Sequence, residues 1–366
     1  MKYYKLNDLC TDIVDCPHTT PDWKNEGIRV VRNFNLKDGN LDFTDGYFVD
    51  EATYLERTKR AIPEEGDIII SREAPMGVVG IVPKGLKCCL GQRLVLLKVN
   101  KGKCDPYYLL NTLMSDFVQT QFKRADATGS IVSNLCIPDL KEIIIPVIES
   151  GQEDVARLLE IINKKQLINN AINDNLEQQI QLIFDYLFPD VCAGNKHMGD
   201  FIIPKRGKSL LSKNAVHGNV PVIAGGLEPS IYHNVANTIA PVVTISSSGA
   251  NAGFVNIWGV PVWSSDSSYI DSEMSRYVYF WYAYLKRHQN NIYNIQTGSA
   301  QPHIYPSHIS SLPITDLDHK KIENYTEIVS PIFSTITKNH VENQHLQSLR
   351  DWLLPMLMNG QATIND

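Results

Sequence analysis

The chain has 366 residues, 43% hydrophobic and 20% charged, the composition of a soluble globular protein with material for two or three domains. No run of about 18 apolar residues exists to span a membrane, and Met1-Lys2-Tyr3-Tyr4-Lys5-Leu6-Asn7-Asp8 lacks an apolar signal core, so the cytoplasm is expected. Seven scattered cysteines with no Cys-x-x-Cys argue against a disulfide framework, and Cys10, Cys16 and His18 fit no usual zinc spacing, so no metal is expected.

In chain order, Gly66-Asp67-Ile68-Ile69-Ile70 and Arg93 to Val99 read as strands. Asp105-Pro106 opens a helix expected to reach about Phe122, with the proline suited to its first turn. Residues 150–191 carry a heptad seam: Val155, Leu159, Ile162, Gln166, Asn169, Asn173, Leu176, Ile180, Ile183 and Leu187 step alternately by four and three. Pro241-Val242-Val243-Thr244-Ile245 is a further strand, and a helix is expected from Asp271 to about Arg287. Residues 315–366 repeat the seam as Tyr325, Val329, Ile332, Ile336, Asn339, Asn343, Leu346, Arg350, Leu353 and Leu357, each 170 residues after its counterpart. Pro331 is awkward there, so this helix is expected to begin near Pro331 or to bend at it.

The asparagines sharpen the seam. If the helices pair antiparallel, Asn169, Asn173, Asn339 and Asn343 meet in one polar layer that fixes register at a cost in stability. Replacing Asn169 and Asn339 together by leucine is then expected to stabilise the pair while loosening its register. The alternative is two amphipathic helices whose asparagines face solvent.

The globular parts repeat as well. Ile69-Ile70-Ser71-Arg72-Glu73-Ala74-Pro75-Met76-Gly77-Val78-Val79 overlays Ile245-Ser246-Ser247-Ser248-Gly249-Ala250-Asn251-Ala252-Gly253-Phe254-Val255, and Thr128-Gly129-Ser130 recurs as Thr297-Gly298-Ser299. Ile143-Ile144-Ile145-Pro146 and Ser311-Leu312-Pro313 precede the two helical segments. The expected order is globular 1–149, helix 150–191, globular 192–314, helix 315–366. The fold class is α+β, two mixed domains separated by two long antiparallel coiled-coil helices in a pseudo-two-fold arrangement.

This duplicated order resembles the specificity subunit of type I restriction–modification systems over the whole chain. The resemblance is carried by Gly66 to Arg72, by Gly91-Gln92-Arg93, by the Thr-Gly-Ser elements, and by Ile-Pro followed by Gln152-Glu153-Asp154-Val155-Ala156. The second copy departs from the pattern: Asp266-Ser267 stands where Gln92-Arg93 is expected, and His319-Lys320-Lys321-Ile322 replaces the Gln-initiated helix start. The resemblance implies two target-recognition domains, each reading one half of a bipartite double-stranded DNA target. It implies helices that set the spacing and dock methyltransferase (modification) subunits, with ATP-driven restriction subunits as further partners. About 35 helical residues span roughly 50 Å, enough for sites one DNA turn (roughly 34–36 Å) apart.

A formal net charge of −6 sits oddly with phosphate neutralisation, but −4 of it falls within 150–190 and −3 within 315–366, leaving the rest near neutral. Arginine suits guanine, Asn and Gln suit adenine, and Ser or Thr suit either. The DNA-contacting candidates are Arg72, Gln92, Arg93, Arg124, Ser130 and Asn134 in the first domain, and Ser247, Ser248, Asn251, Gln296, Ser299, Gln301 and His303 in the second. Lys205, Arg206 and Lys208, flanked by Lys196 and Lys213, suit phosphates. Against each stands the plain reading of a loop Ser or Asn as turn former and of a surface Arg as solvated.

No phosphate-binding glycine loop, Gly-x-Ser-x-Gly elbow or Asn-Pro-Pro-Tyr-type element is present, so the chain is expected to be non-catalytic. It is expected to bind no cofactor itself; S-adenosylmethionine and ATP would serve the partner subunits. The rival readings are a coiled-coil adaptor that binds no DNA, and an enzyme with a site in the Ser-rich loops around Ser247-Ser248-Gly249.

Overall fold

A computed structural model describes the chain except residues 44–45, 74, 127–133, 150, 299–300 and 359–366. The first globular part runs β1 (Lys2–Lys5), α1 (Leu6–Leu9), β2 (Cys10–Asp15), β3 (Ile28–Val31), β4 (Leu36–Lys37), β5 (Asn40–Leu41), β6 (Phe48–Val49), α2 (Glu51–Arg57), β7 (Ile68–Ser71), β8 (Val79–Ile81), β9 (Cys88–Leu90), β10 (Leu94–Val99), α3 (Pro106–Met114), α4 (Asp116–Asp126), α5 (Ile137–Glu142) and β11 (Ile144–Val147). The long helix α6 (Gln152–Leu187) follows. The second part runs β12 (Lys196–His197), β13 (Lys205–Arg206), β14 (Val220–Ile223), β15 (Ile231–His233), β16 (Val242–Ser246), β17 (Val255–Trp258), β18 (Trp263–Ser264), β19 (Ser267–Asp271), α7 (Val278–Arg287), α8 (Gln289–Asn294), α9 (Pro306–Ser310) and β20 (Pro313–Ile314), before α10 (His319–Met358).

Among the described residues the duplication extends to the sheet topology, the short β4-β5 pair of the first part excepted. A four-stranded sheet in the order β2-β10-β7-β8 is matched by β13-β19-β16-β17. A three-stranded sheet β6-β3-β9, whose β3 and β9 run parallel, is matched by β15-β14-β18 with β14 and β18 parallel. The pair β1-β11 is matched by β12-β20.

By compactness the chain forms two units, Met1–Gln166 with Gln344–Asp366, and Leu167–Asn343, so each unit takes one globular part and a portion of both long helices. In the first unit Ile68, Ile70, Val95, Leu97, Tyr108 and Leu109 form a core that also receives Val155 and Leu159 of α6 and Leu357 of α10. In the second, Val243, Ile245, Phe280 and Trp281 form a core with Ile180 and Phe184 of α6 and Tyr325, Val329 and Ile336 of α10. These apolar seam residues are therefore buried inside a globular core as well as along the helices.

Within the second unit α6 and α10 run antiparallel, Asn169 opposite Asn343 and Asn173 opposite Asn339. Asn169 Nδ2 donates to Asn343 Oδ1 at 2.9 Å, and Asn339 Nδ2 donates to Asn173 Oδ1 at 2.8 Å. Shifting the first bond by the repeat of 170 residues yields the second, donor for donor. Asn169 also donates to Glu342 Oε2 (2.8 Å), and Asn343 Nδ2 donates to Asn170 Oδ1 (2.8 Å).

Three expectations need correction. The helix expected from 106 to 122 is two helices, because Ser115 is extended and its Oγ donates to Thr112 O (2.6 Å) while its carbonyl accepts from Val118 N–H. The helix expected from Asp271 begins at Val278, since Asp271 still pairs with Val242 in the sheet and its carboxylate accepts from Met274 and Ile239 N–H. Finally, α10 starts at His319 and continues through Pro331. Pro331 removes the donor to the Glu327 carbonyl, but both residues are exposed and water can supply that bond.

The pairing also revises the expectation for leucine at Asn169 and Asn339, which belong to different pairs. Asn169→Leu/Asn339→Leu takes one donor from each pair, so that Asn343 Oδ1 loses Asn169 and Asn173 Oδ1 loses Asn339, and is expected to cost about 1–3 kcal/mol per lost bond. Asn169→Leu/Asn343→Leu removes a matched pair and is expected to cost clearly less. Urea unfolding of the two double variants measures the difference, and equal losses would contradict the pairing.

Candidate nucleic-acid interface

At the loop end of the first four-stranded sheet, several sequence-chosen side chains come together and are largely spent on one another. Arg72 follows β7. Its Nη1 donates to both carboxylate oxygens of Asp15 at the end of β2 (3.0 and 3.1 Å), its Nε to Leu135 O (3.0 Å), and its Nη2 to Asn134 Oδ1 (3.3 Å). The ion pair is mostly shielded, with side-chain exposures of 13% and 20%. Arg72 and Asn134 thus form a strut that fastens residues 134–135 to the sheet.

Arg93 is the more available arginine. It sits in the left-handed region at φ 65, its Nε is 3.1 Å from Glu73 Oε2, and its side chain is 57% exposed. Gln92 is half-buried and donates to His18 O at 2.5 Å. Arg124 is exposed in the last turn of α4. Ser130 lies outside the described residues.

Sequence reading missed Arg32, Trp23, Phe34 and Tyr47. The Arg32 guanidinium lies 4.4 Å from the Tyr47 ring centre, 5.0 Å from Phe34 and 5.5 Å from Trp23. The next residue, Asn33, donates from Nδ2 to Glu73 O (2.6 Å), tying this cluster to the Glu73–Arg93 pair.

The second unit builds the same place with opposite polarity. Ser247 N–H donates to Asp266 O as Arg72 N–H donates to Arg93 O, so Asp266 occupies the place of Arg93. Its carboxylate accepts from Arg206 Nη2 (2.7 Å) and from Ser248 Oγ. Ser247 is buried and its hydroxyl has no partner among the described residues, Gln296 is committed to Ala252 O (2.6 Å), and Asn251 is half-buried. His303 bridges Ser248 and Thr297 through its backbone, and its ring stacks near Tyr305 (6.2 Å, 19°). Gln301, Lys205, Lys208 and Lys213 are exposed, while Lys196 pairs with Asp316. Ser299 lies outside the described residues.

The chemistry of this end suits recognition. Ser248 donates straight to a carboxylate, with no imidazole between them to take its proton, so it is not arranged as a nucleophile. Burial pushes the Cys88 and Cys89 thiols up to about 12 and about 11, away from the reactive thiolate. His18 pairs with Asp15 (3.0 Å) while the Cys16 sulfur accepts from Leu94 N–H. No group of three or more His, Cys, Asp or Glu among the described residues is placed to hold a metal.

Residues 1–178 match the family model described as the type I restriction modification DNA specificity domain. That match covers just under half of the chain. A stretch of 135 residues is 27% identical to the putative type I restriction enzyme MjaX specificity subunit of Methanocaldococcus jannaschii. That match covers 37% of this chain and 30% of the relative, less than a third of the relative's length. The S subunit of a type I restriction-modification system from M. genitalium has a similar fold, with a TM-score of 0.56 at 18% identity over 96% of this chain and 94% of that one.

Removing the Arg72 strut takes the guanidinium from Asp15 and Leu135 O, with His18 still reaching Asp15 Oδ2. Arg72→Ala is expected to lower stability by about 2 kcal/mol. Arg72→Lys should recover less than half, because a single ammonium cannot replace Nε, Nη1 and Nη2 together. Urea denaturation checks both; an alanine variant as stable as the parent would show that Arg72 is free after all.

Proposed function

We propose that the chain is the DNA sequence-specificity subunit of a type I restriction–modification enzyme, each globular part reading one half of a bipartite target. The observation that carries this is the duplicated topology: the family match ends at residue 178, yet the second part repeats three of the first part's sheets, all but the short β4-β5 pair, in the same strand order. Loops at the same end of both four-stranded sheets then carry different polar side chains, Arg93 and Gln92 in one, Arg206, Asp266 and Ser248 in the other. Two unlike readers on one plan suit two unlike half-sites.

In this reading Arg93, Gln92, Arg124 and Gln301 remain candidates for DNA contact, and Lys205, Lys208 and Lys213 for phosphates. Arg206 is tied to Asp266 and contributes through that pair. The helices carry the gap length and the surface for methyltransferase and restriction subunits. The chain itself is non-catalytic and works in the cytoplasm; S-adenosylmethionine and ATP are consumed by the partners. No described helix is long and apolar enough to cross a membrane.

The test is co-expression with a cognate methyltransferase subunit and mapping of methylated bases in genomic DNA. A single bipartite motif with a constant gap is expected. Exchanging residues 196–314 for the matching segment of a subunit with another target should change one half of the motif only. Co-purification without any methylated motif would favour the adaptor reading and overturn this one.

A further inference from the structure

The two globular parts share one backbone plan, so each is a control for the other. Gly91 N–H donates to Val31 O (2.7 Å), and Ser265 N–H donates to Ile223 O (2.8 Å). These bonds make Ala224, Gly225 and Gly226 the counterparts of Arg32, Asn33 and Phe34. In the second part this turn is bare: a Cβ at Gly225 would stand 2.5 Å from Ser248 O, so the backbone itself packs where Asn33 reaches Glu73 in the first. The shared fold therefore closes without an arginine or an aromatic ring here. The Arg32 cluster is an addition made by one copy alone.

That addition has the form of a reader. Trp23 and Phe34 remain 38% and 43% exposed, although Trp23 packs edge-on against Tyr47 (4.9 Å) and Phe34 lies 5.7 Å from the same ring. Among the described residues, the Arg32 guanidinium has these rings for neighbours and no carboxylate partner. Its backbone N–H is held by Asn35 Oδ1 (2.8 Å), and a Cβ at Gly91 would lie 3.2 Å from Arg32 Cγ, which sets it beside the Gln92-Arg93 loop. Rings that hold a guanidinium reduce the rotamer freedom lost on binding while leaving its donors unspent. A phosphate needs only a mobile positive charge, whereas a guanine edge needs a planar fork held in place.

We propose that Arg32 is a specificity-determining residue of the first domain, presenting its caged fork to a guanine in one half of the target. The inference rests on the DNA-specificity reading above. It also explains why one half-site reader carries an unpaired arginine where the other carries alanine.

The experiment compares genomic methylation by the full chain, co-expressed with its methyltransferase subunits, for the parent, Arg32→Ala and Arg32→Lys. Thermal unfolding is matched first; Arg32→Lys keeps the charge and the aliphatic stem against the rings, so it guards against misfolding. Both variants are expected to lose discrimination for guanine at one position of one half by roughly tenfold or more. The other half and the gap should stay unchanged. An unaltered motif in both variants overturns the proposal, as does a uniform loss in Arg32→Ala that Arg32→Lys restores, which would mark a phosphate contact. A parent chain that directs no motif overturns the functional reading itself, and this inference with it.

Discussion

Two amide–amide hydrogen bonds carry the symmetry on which the rest of the structure depends. Asn169 to Asn343 and Asn339 to Asn173 are copies of each other, offset by the repeat of 170 residues. Leucine would suit a buried seam position better by transfer free energy, but it would fit many registers equally well. An amide whose partner is prescribed fits one. A slip of one heptad would leave these groups facing apolar neighbours, at a cost comparable with the gain from several apolar contacts. The apolar positions on either side then fall into their cores because the register is already set.

Each core takes residues from a globular sheet and from both long helices, so neither part is complete without the seam. Ile180, Tyr325 and Ile336 are buried among sheet residues of the second unit; Val155, Leu159 and Leu357 do the same in the first. Against that constant frame, the loop ends of the four-stranded sheets vary. Arg93 facing Glu73 in one copy becomes Asp266 facing Ser248 and Arg206 in the other, with the backbone bonds around them retained.

Much of this was legible in the sequence. A period of 3.5 and an offset of 170 residues are arithmetic properties of the chain, so the helices, their pairing and their asparagines could be read directly. Strands such as Ile68–Ser71 announced themselves through runs of branched apolar residues. The candidate interface was less legible because it depends on which polar side chains satisfy each other. Arg72 finds Asp15 across 57 residues, and Arg32 finds Trp23 and Tyr47 by the folding of a small sheet. No local pattern signals either. The ends of helices were misread for a related reason: Ser115 and Asp271 are placed by hydrogen bonds to turns and neighbouring strands, not by helix propensity.

The most direct test of the account is a spacing experiment. The purified complex with methyltransferase subunits would be given duplexes that keep both half-sites but lengthen or shorten the gap by one base pair. One base pair displaces and rotates a half-site by about 3.4 Å and about 35°. If a register pinned by paired asparagines holds the two readers, methylation should fall by roughly a hundredfold or more at either altered gap, equivalent to the loss of about two base-specific contacts. Methylation that tolerates both gaps at the parental rate would contradict a fixed register and the reading of the helices as the spacer.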